Sequence, residues 1–381
     1  MNASVASMVY KFNMDNIEIL ESLGYQVDVA CNFGKENPIT PQEIEEFRTI
    51  LCSKNINVFE TDCPRSIFAI GKIVKTYKQL KKIIDKGDYE LIHTQSPIGG
   101  CVCRLAARKA RKKGTKVIYT AHGFHFYEGS PKKNWVFYPI EKAFSRFNDL
   151  LITINKEDFE RAKKFHSKEV EYISGVGVDI SRFLNCKVSR EEKRRELGLD
   201  QNDLVLLSVG ELSARKNHQV VIKALGKIKD KSIKYLIAGK GEGYNSYQGL
   251  AAESGVSDRV ILLGARTDVD ELCVAADVFV HPSVREGLGI APLEGMAAGL
   301  PLISSYVNGI KDYTEDGVTG CCIKNPLDVD AFASAIKRML DRDFREKCGK
   351  YNINVAYIFS SGASKEKMKE IYNAILSAQE M

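Results

Sequence analysis

The chain has 381 residues and ten cysteines, yet no two cysteines form a C-x-x-C pair. Cys101–Cys103 and Cys321–Cys322 are spaced too closely for a zinc framework, so reduced thiols in a cytosolic protein are expected. No apolar run approaches the roughly 20 residues that a membrane span needs. No basic start followed by an apolar stretch opens the chain, so no secretory signal is expected. The dinucleotide fingerprint G-x-G-x-x-G also fails, because Tyr244 stands where the third glycine after Gly239–Lys240–Gly241 belongs. Acidic residues are missing between Glu90 and Glu128, an interval that holds Arg104, Arg108, Lys109, Arg111, Lys112, Lys113 and Lys116. Arg65, Lys72, Lys75, Lys78, Lys81, Lys82 and Lys86 precede it, although the net charge is only +6. No nucleic-acid-binding module accompanies this charge, so nucleic acid is not an expected partner. Two readings stay open: a solvated helix face, or a face for the anionic inner membrane surface, with Lys109, Lys112 and Lys113 on the acceptor or membrane side.

What is present is a soluble-type composition, 44% hydrophobic and 27% charged, in a length that suits two domains. Short β-branched runs alternate with helical patterns. In the first half the expected strands are Ala3–Met8 (with its turn), Tyr25–Cys31, Ile56–Phe59, Tyr89–His93, Lys116–Thr120 and Leu150–Ile154. The helices between them are expected at Phe12–Leu23, Pro41–Lys54, Ser66–Asp85, Ile98–Lys112, Trp135–Phe147 and Lys156–Phe165. The second half repeats the pattern, with strands at Leu204–Val209, Lys234–Ala238, Arg259–Leu263, Val278–His281 and Pro301–Ser304. Such alternation implies an α/β class with parallel sheets covered on both faces. Ligands are then expected at the carboxyl ends of the strands.

The most informative stretch is His281–Gly299, HPSVREGLGIAPLEGMAAG. It reads as the end of a buried strand, a loop carrying Gly287 and Gly289, and a helix with Pro292 in its first turn. A helix N-terminus suits an anion, while Glu286 and Glu294 suit sugar hydroxyls. Together they suggest a nucleotide-sugar pocket. Gly210–Lys216 (GELSARK) follows another strand, and its adjacent cations Arg215 and Lys216 suit a diphosphate leaving group.

E-G-L-G-I-A-P-L-E resembles the E-x7-E motif of the retaining glycosyltransferases of family 4. TAHGFHFYEG (Thr120–Gly129), ITINKEDFERAK (Ile152–Lys163) and SVGELSARKNH (Ser208–His218) resemble members that build bacterial capsules and exopolysaccharides. The resemblance implies a GT-B fold: two Rossmann-like α/β domains facing each other across a cleft. The domains are expected at 1–183 and 184–359, with a C-terminal helix (about 360–381) crossing back to complete the first. It implies that Glu286 contacts the transferred sugar and Glu294 the ribose. Gly210, Gly287, Leu288, Gly289 and Ile290 then line the donor, His122 approaches the donor sugar, and Arg266 lies by the base. It also implies front-face attack, in which the leaving phosphate takes the acceptor proton. Relatives carry a longer first strand that begins earlier, glycines near Ser4–Met8, G-R-L where Glu211 now stands, and often a glycine at Asn217. Ser4 and Ser7 are possible replacements at the phosphate, and Asn13 and Asn16 are candidates for the acceptor.

The expected reaction is therefore sugar transfer from a nucleotide-diphosphate sugar, a UDP-sugar, to an undecaprenyl-linked saccharide. The setting is cytoplasmic, at the inner face of the membrane. No cofactor or metal is expected, since the two D-V-D pairs (Asp268–Asp270 and Asp328–Asp330) precede helices as caps. A nucleotide-sugar 2-epimerase and a catalytically degenerate nucleotide-sugar-binding module remain the alternatives.

Overall fold

The computed structural model describes residues 1–34 and 36–377, so the last four residues of the helix expected to 381 lie outside the described residues. Two compact units result. One comprises residues 1–176 together with the chain from Ser364 onward, and the other comprises Gly177–Ala363.

The first unit is built on seven parallel strands: β1 (Asn2–Val5), β2 (Asp28–Asn32), β3 (Asn57–Glu60), β4 (Leu91–Gln95), β5 (Lys116–Ala121), β6 (Leu150–Thr153) and β7 (Glu169–Tyr172). Their order is β3-β2-β1-β4-β5-β6-β7. It reverses between β1 and β4, and the loops at their carboxyl ends flank a switch point of the kind that receives ligands. β1 has only four residues, yet all four are buried and it pairs with both β2 and β4. The first helix starts at Ala6 rather than Phe12, because Ala6, Ser7 and Val9 pack inward directly after the strand. It stops at Asn13 and resumes at Met14–Ser22. The helix expected from Ser66 starts at Ile70 and runs to Gly87. The C-terminal helix Ser361–Ser377 joins this unit through Tyr372, whose hydroxyl lies 2.7 Å from His93 Nδ1.

The second unit holds six parallel strands: β8 (Leu204–Val209), β9 (Ile233–Ala238), β10 (Val260–Gly264), β11 (Val278–His281), β12 (Leu302–Ser305) and β13 (Gly320–Ile323). Their order is β10-β9-β8-β11-β12-β13. The last strand, GCCI, gave no strand signal because it is short and begins with glycine. Gly320 is needed there, since a Cβ would meet Leu302 O at 1.9 Å. The core joins Leu206, Val221, Ile237, Val280, Phe332 and Ile336.

The long basic interval does not form one charged face. Arg104 is fully buried and pairs with Glu141 at 2.9 Å, with its guanidinium 3.9 Å from the centre of the Tyr119 ring. Arg111 pairs with Asp149 at 2.9 Å. Lys109, Lys112 and Lys113 remain exposed. A buried charge stripped of its partner is costly, so Glu141→Ala should destabilise the chain by about 3–5 kcal/mol. Thermal unfolding measures this; a change under about 1 kcal/mol would place Arg104 in contact with water instead.

Candidate functional site

Loops at the β8 and β11 ends bring the sequence-predicted cations and the first motif glutamate together. Lys216 Nζ lies 2.6 Å and Arg215 Nη1 3.1 Å from Glu286 Oε1. Ser283 Oγ donates to the same oxygen at 2.9 Å. His281 Nε2 approaches it to 3.3 Å without hydrogen-bond alignment. Burial pushes the Glu286 carboxyl up, but His281, Lys216 and Arg215 outweigh it and hold the group well below the usual carboxylate range. Glu286 is therefore a carboxylate at any physiological pH. His281 is pushed down, first by burial and then by Lys216, against the pull of Glu286. The sequence reading passed over His281, because it closes a strand and looked like core.

Backbone features lock the two loops to each other. Val284 N donates to Arg215 O at 2.9 Å. Gly210 leaves room for the Lys216 stem, whose Cε would sit 3.0 Å from a Cβ there. Asn217 adopts a left-handed conformation (φ 57°), the region that glycine enters most readily and asparagine more often than other residues. Its buried amide donates to Pro282 O at 3.0 Å and Pro326 O at 2.7 Å. Behind the motif, Tyr313 donates to Leu288 O at 3.0 Å. Gly309 packs so tightly that a Cβ would meet Gly287 O at 2.0 Å. Neither Tyr313 nor Gly309 carried a sequence signal, since they lie beyond the next strand.

Gly289 (φ 86°) caps the helix Ile290–Ala297 without a side-chain cap, so the first-turn amides of that helix face the loop free of an internal partner. No acidic residue occupies that turn. Glu294 follows one turn later, half-buried, and burial pushes its carboxyl up to about 7, against Arg182 and with Asp270. Arg182 was missed from the sequence. It donates to Asp270 Oδ1 at 2.6 Å and is the cation that acts on Glu294.

Arg266 is not brought to this group. It pairs with Asp268 (2.8 Å) and Glu196 (3.2 Å), beside Lys193, which contacts Asp268 at 2.6 Å. Asp268 therefore takes cations and does not cap its helix, whereas Asp328 caps the helix Val329–Arg338 through the Ala331 amide. Among the described residues no group of three or more His, Cys, Asp or Glu side chains is arranged to hold a metal ion.

In the first unit, a small pocket is lined by Phe12, Asn13, Asn16, Gln95, His122 and Met368, among others. Its polar side chains form a chain with one consistent set of donors. Asn13 Nδ2 donates to Met8 O at 2.8 Å, which turns Oδ1 toward Asn16 Nδ2 (3.0 Å) and Gln95 Nε2. Gln95 Oε1 then faces His122 Nε2. That nitrogen must carry the proton, leaving Nδ1 as the acceptor. Burial pushes His122 down to about 4, so it is neutral near pH 7. Ser4 and Ser7 are buried: Ser4 Oγ accepts from Gly99 N, Ser4 N donates to Ser96 Oγ, and Ser7 N donates to Asn37 Oδ1. His125 lies against the Phe137 ring.

Two outcomes follow from this geometry. Asn217→Ala strains the left-handed turn and leaves two carbonyls without the amide, so it should cost about 3 kcal/mol in thermal unfolding. Asn217→Gly relieves the strain and should cost about half as much. For Glu294, a folded-state pKa raised above the ordinary 4.5 gives stability that is present below pH 4.5 and lost as pH rises through about 7. Glu294→Gln should thus match the parent chain at pH 5 and exceed it by roughly 1–3 kcal/mol at pH 8. A difference independent of pH would refute the raised value.

The family model described as glycosyl transferases group 1 matches residues 189–355, and the one described as glycosyl transferase 4-like matches residues 3–155. EpsD of Bacillus subtilis (strain 168), described as a glycosyltransferase, is 37% identical over 96% of this chain and 93% of its own. The UDP-Gal:alpha-D-GlcNAc-diphosphoundecaprenol alpha-1,3-galactosyltransferase of Escherichia coli is 29% identical, over 88% of this chain and 85% of its own. The crystal structure of Anabaena Alr3699/HepE in complex with UDP and glucose covers 98% of each chain with a TM-score of 0.77 at 19% identity, a likeness of fold. With a family model on each unit and a relative 37% identical along nearly the whole length, the chain belongs to the group 1, 4-like glycosyltransferases, and its two Rossmann-like units are of the GT-B type.

Proposed function

We propose that the chain moves a hexosyl or N-acetylhexosaminyl group from a UDP-sugar to a hydroxyl of an undecaprenyl-linked saccharide. The anomeric configuration is retained, and the product enters exopolysaccharide or capsule assembly at the cytoplasmic face of the membrane. The observation that carries this reading is the convergence of Lys216 and Arg215 on Glu286 beside a helix with uncapped first-turn amides. Lys216 and the Arg215 fork are placed side by side, as a diphosphate needs, and Arg215 is tied to exposed Glu211 only at 3.8 Å, a contact that a diphosphate can replace. The relatives support the rest: one is named for a UDP-sugar donor, a diphosphoundecaprenol acceptor and an alpha linkage, and a solved neighbour binds UDP.

On this reading Lys216 and Arg215 hold the diphosphate, with the amides of Gly287–Ile290 near the sugar and phosphate. Glu286 accepts hydrogen bonds from the transferred sugar, and Glu294 from the ribose. Gly210 and Leu288 line the pocket. The C1–O bond to the diphosphate breaks as the acceptor oxygen bonds to C1 on the same face, and the acceptor proton passes to the leaving phosphate oxygen. Negative charge building on that group is what the cations stabilise. Neutral His122 offers Nδ1 to a sugar hydroxyl, and Asn13 and Asn16 line the same pocket. Arg266, held by Asp268 and Glu196, is assigned no role at the base. No metal is part of the proposal, because the leading carboxylate of each D-V-D pair is already engaged by Lys193 and Arg266 or by a helix amide.

The test is transfer of radiolabelled sugar from a panel of UDP-sugars to undecaprenyl-diphosphate saccharides. One UDP-sugar should give a labelled lipid product. Arg215→Ala and Lys216→Ala should each lower kcat by roughly 100-fold or more without unfolding the chain. Unchanged turnover in both would remove the diphosphate role.

A further inference from the structure

The first unit carries a surface that the transfer chemistry does not use. Ile67 and Phe68 lie in the turn before the helix Ile70–Gly87, and they expose 48% and 86% of their surface. Ile70 and Val74, in the first turns of that helix, expose 69% and 48%. Four large apolar residues within eight positions form a patch, unlike the single exposed side chains common on any protein. The opposite side of the helix is spoken for, since Leu80 and Ile84 pack with Ile92 and Val102 in the core.

Along the exposed side, Ile70, Val74, Lys78 and Lys82 recur every four residues and form one stripe. Its first half is apolar and its second half basic. Lys72 and Lys75 are paired with Glu36 and Asp62. Lys78, Lys82 and Lys86 are exposed and have no ion-pair partner among the described residues. The charge continues beyond the helix, because Lys109 and Lys113 both act on Asp85 near its end.

We propose that this stripe docks the chain on an anionic lipid bilayer, with Phe68 and Ile70 below the headgroups and Lys78 and Lys82 on the lipid phosphates. Charge complementarity selects this occupant. An apolar wedge continuous with unpaired lysines suits a helix lying in the interface of an anionic membrane. A second copy seated on the same patch would set like charges against each other. Phe68, largely exposed, protrudes as an inserting side chain does. The proposal extends the reading of a lipid-borne acceptor, but its test needs neither donor nor acceptor, so each can fail alone.

The experiment is co-sedimentation of the full chain with vesicles of phosphatidylglycerol and phosphatidylethanolamine, against vesicles of phosphatidylcholine. The parent chain should bind the anionic vesicles and lose most of that binding in high salt. Lys78→Glu/Lys82→Glu should weaken binding by at least about tenfold, since each lysine near such a surface is worth about 1 kcal/mol. Phe68→Ser/Ile70→Ser should weaken it comparably, with thermal unfolding and circular dichroism showing that both variants keep their fold. Equal binding to both vesicle types, or full binding by both variants, would overturn the proposal. So would a dimer in solution that Phe68→Ser/Ile70→Ser splits while no vesicle binding is seen.

Discussion

The ion cluster around Glu286 is the constraint on which the arrangement of the β8 and β11 loops rests. A carboxylate this buried would take up a proton if left alone; Lys216, Arg215 and His281 keep it ionised. In return it fixes two long, flexible cationic side chains at one point before any ligand arrives. On the proposed function, that pre-organisation serves diphosphate binding, because side-chain entropy is already spent in the folded chain.

The backbone beneath the cluster serves the same end. Asn217 holds a left-handed turn and ties the cation loop to Pro282, while Tyr313 and Gly309 press on the motif loop from behind. Glu294 stands apart electrostatically. Its carboxyl titrates near neutrality where that of Glu286 does not, so two glutamates eight residues apart answer pH differently. In the first unit the chain Asn13–Gln95–His122 does comparable work without net charge, setting the tautomer of a neutral imidazole.

Much of this was legible in the sequence, and the limits have a physical cause. The α/β class, the strands of the second unit up to Pro301–Ser304, and the places of Glu286 and of Arg215–Lys216 on loops after strands follow from local patterns: β-branched runs, a strand–glycine–helix motif, adjacent cations after a strand; that the cations pair with Glu286 needed the structure. What was hidden depends on partners remote in sequence. Arg104 looked like part of a basic face, but its partner Glu141 is 37 positions away. Gln95 reaches Asn13 across 82 positions, and Arg182 reaches Asp270 across 88. Asp268 had the local signature of a helix cap, and tertiary cations claimed it instead. The positive φ at Asn217 likewise needed the structure.

The account turns on whether the Lys216–Arg215–Glu286 cluster recognises a diphosphate. Calorimetric titration of the chain with UDP and with uridine isolates that contribution, since the two ligands share base and ribose. The account predicts that UDP binds at least about tenfold more tightly than uridine, and that the advantage disappears in Arg215→Ala/Lys216→Ala while uridine binding persists. Equal affinity for UDP and uridine in the parent chain would contradict it.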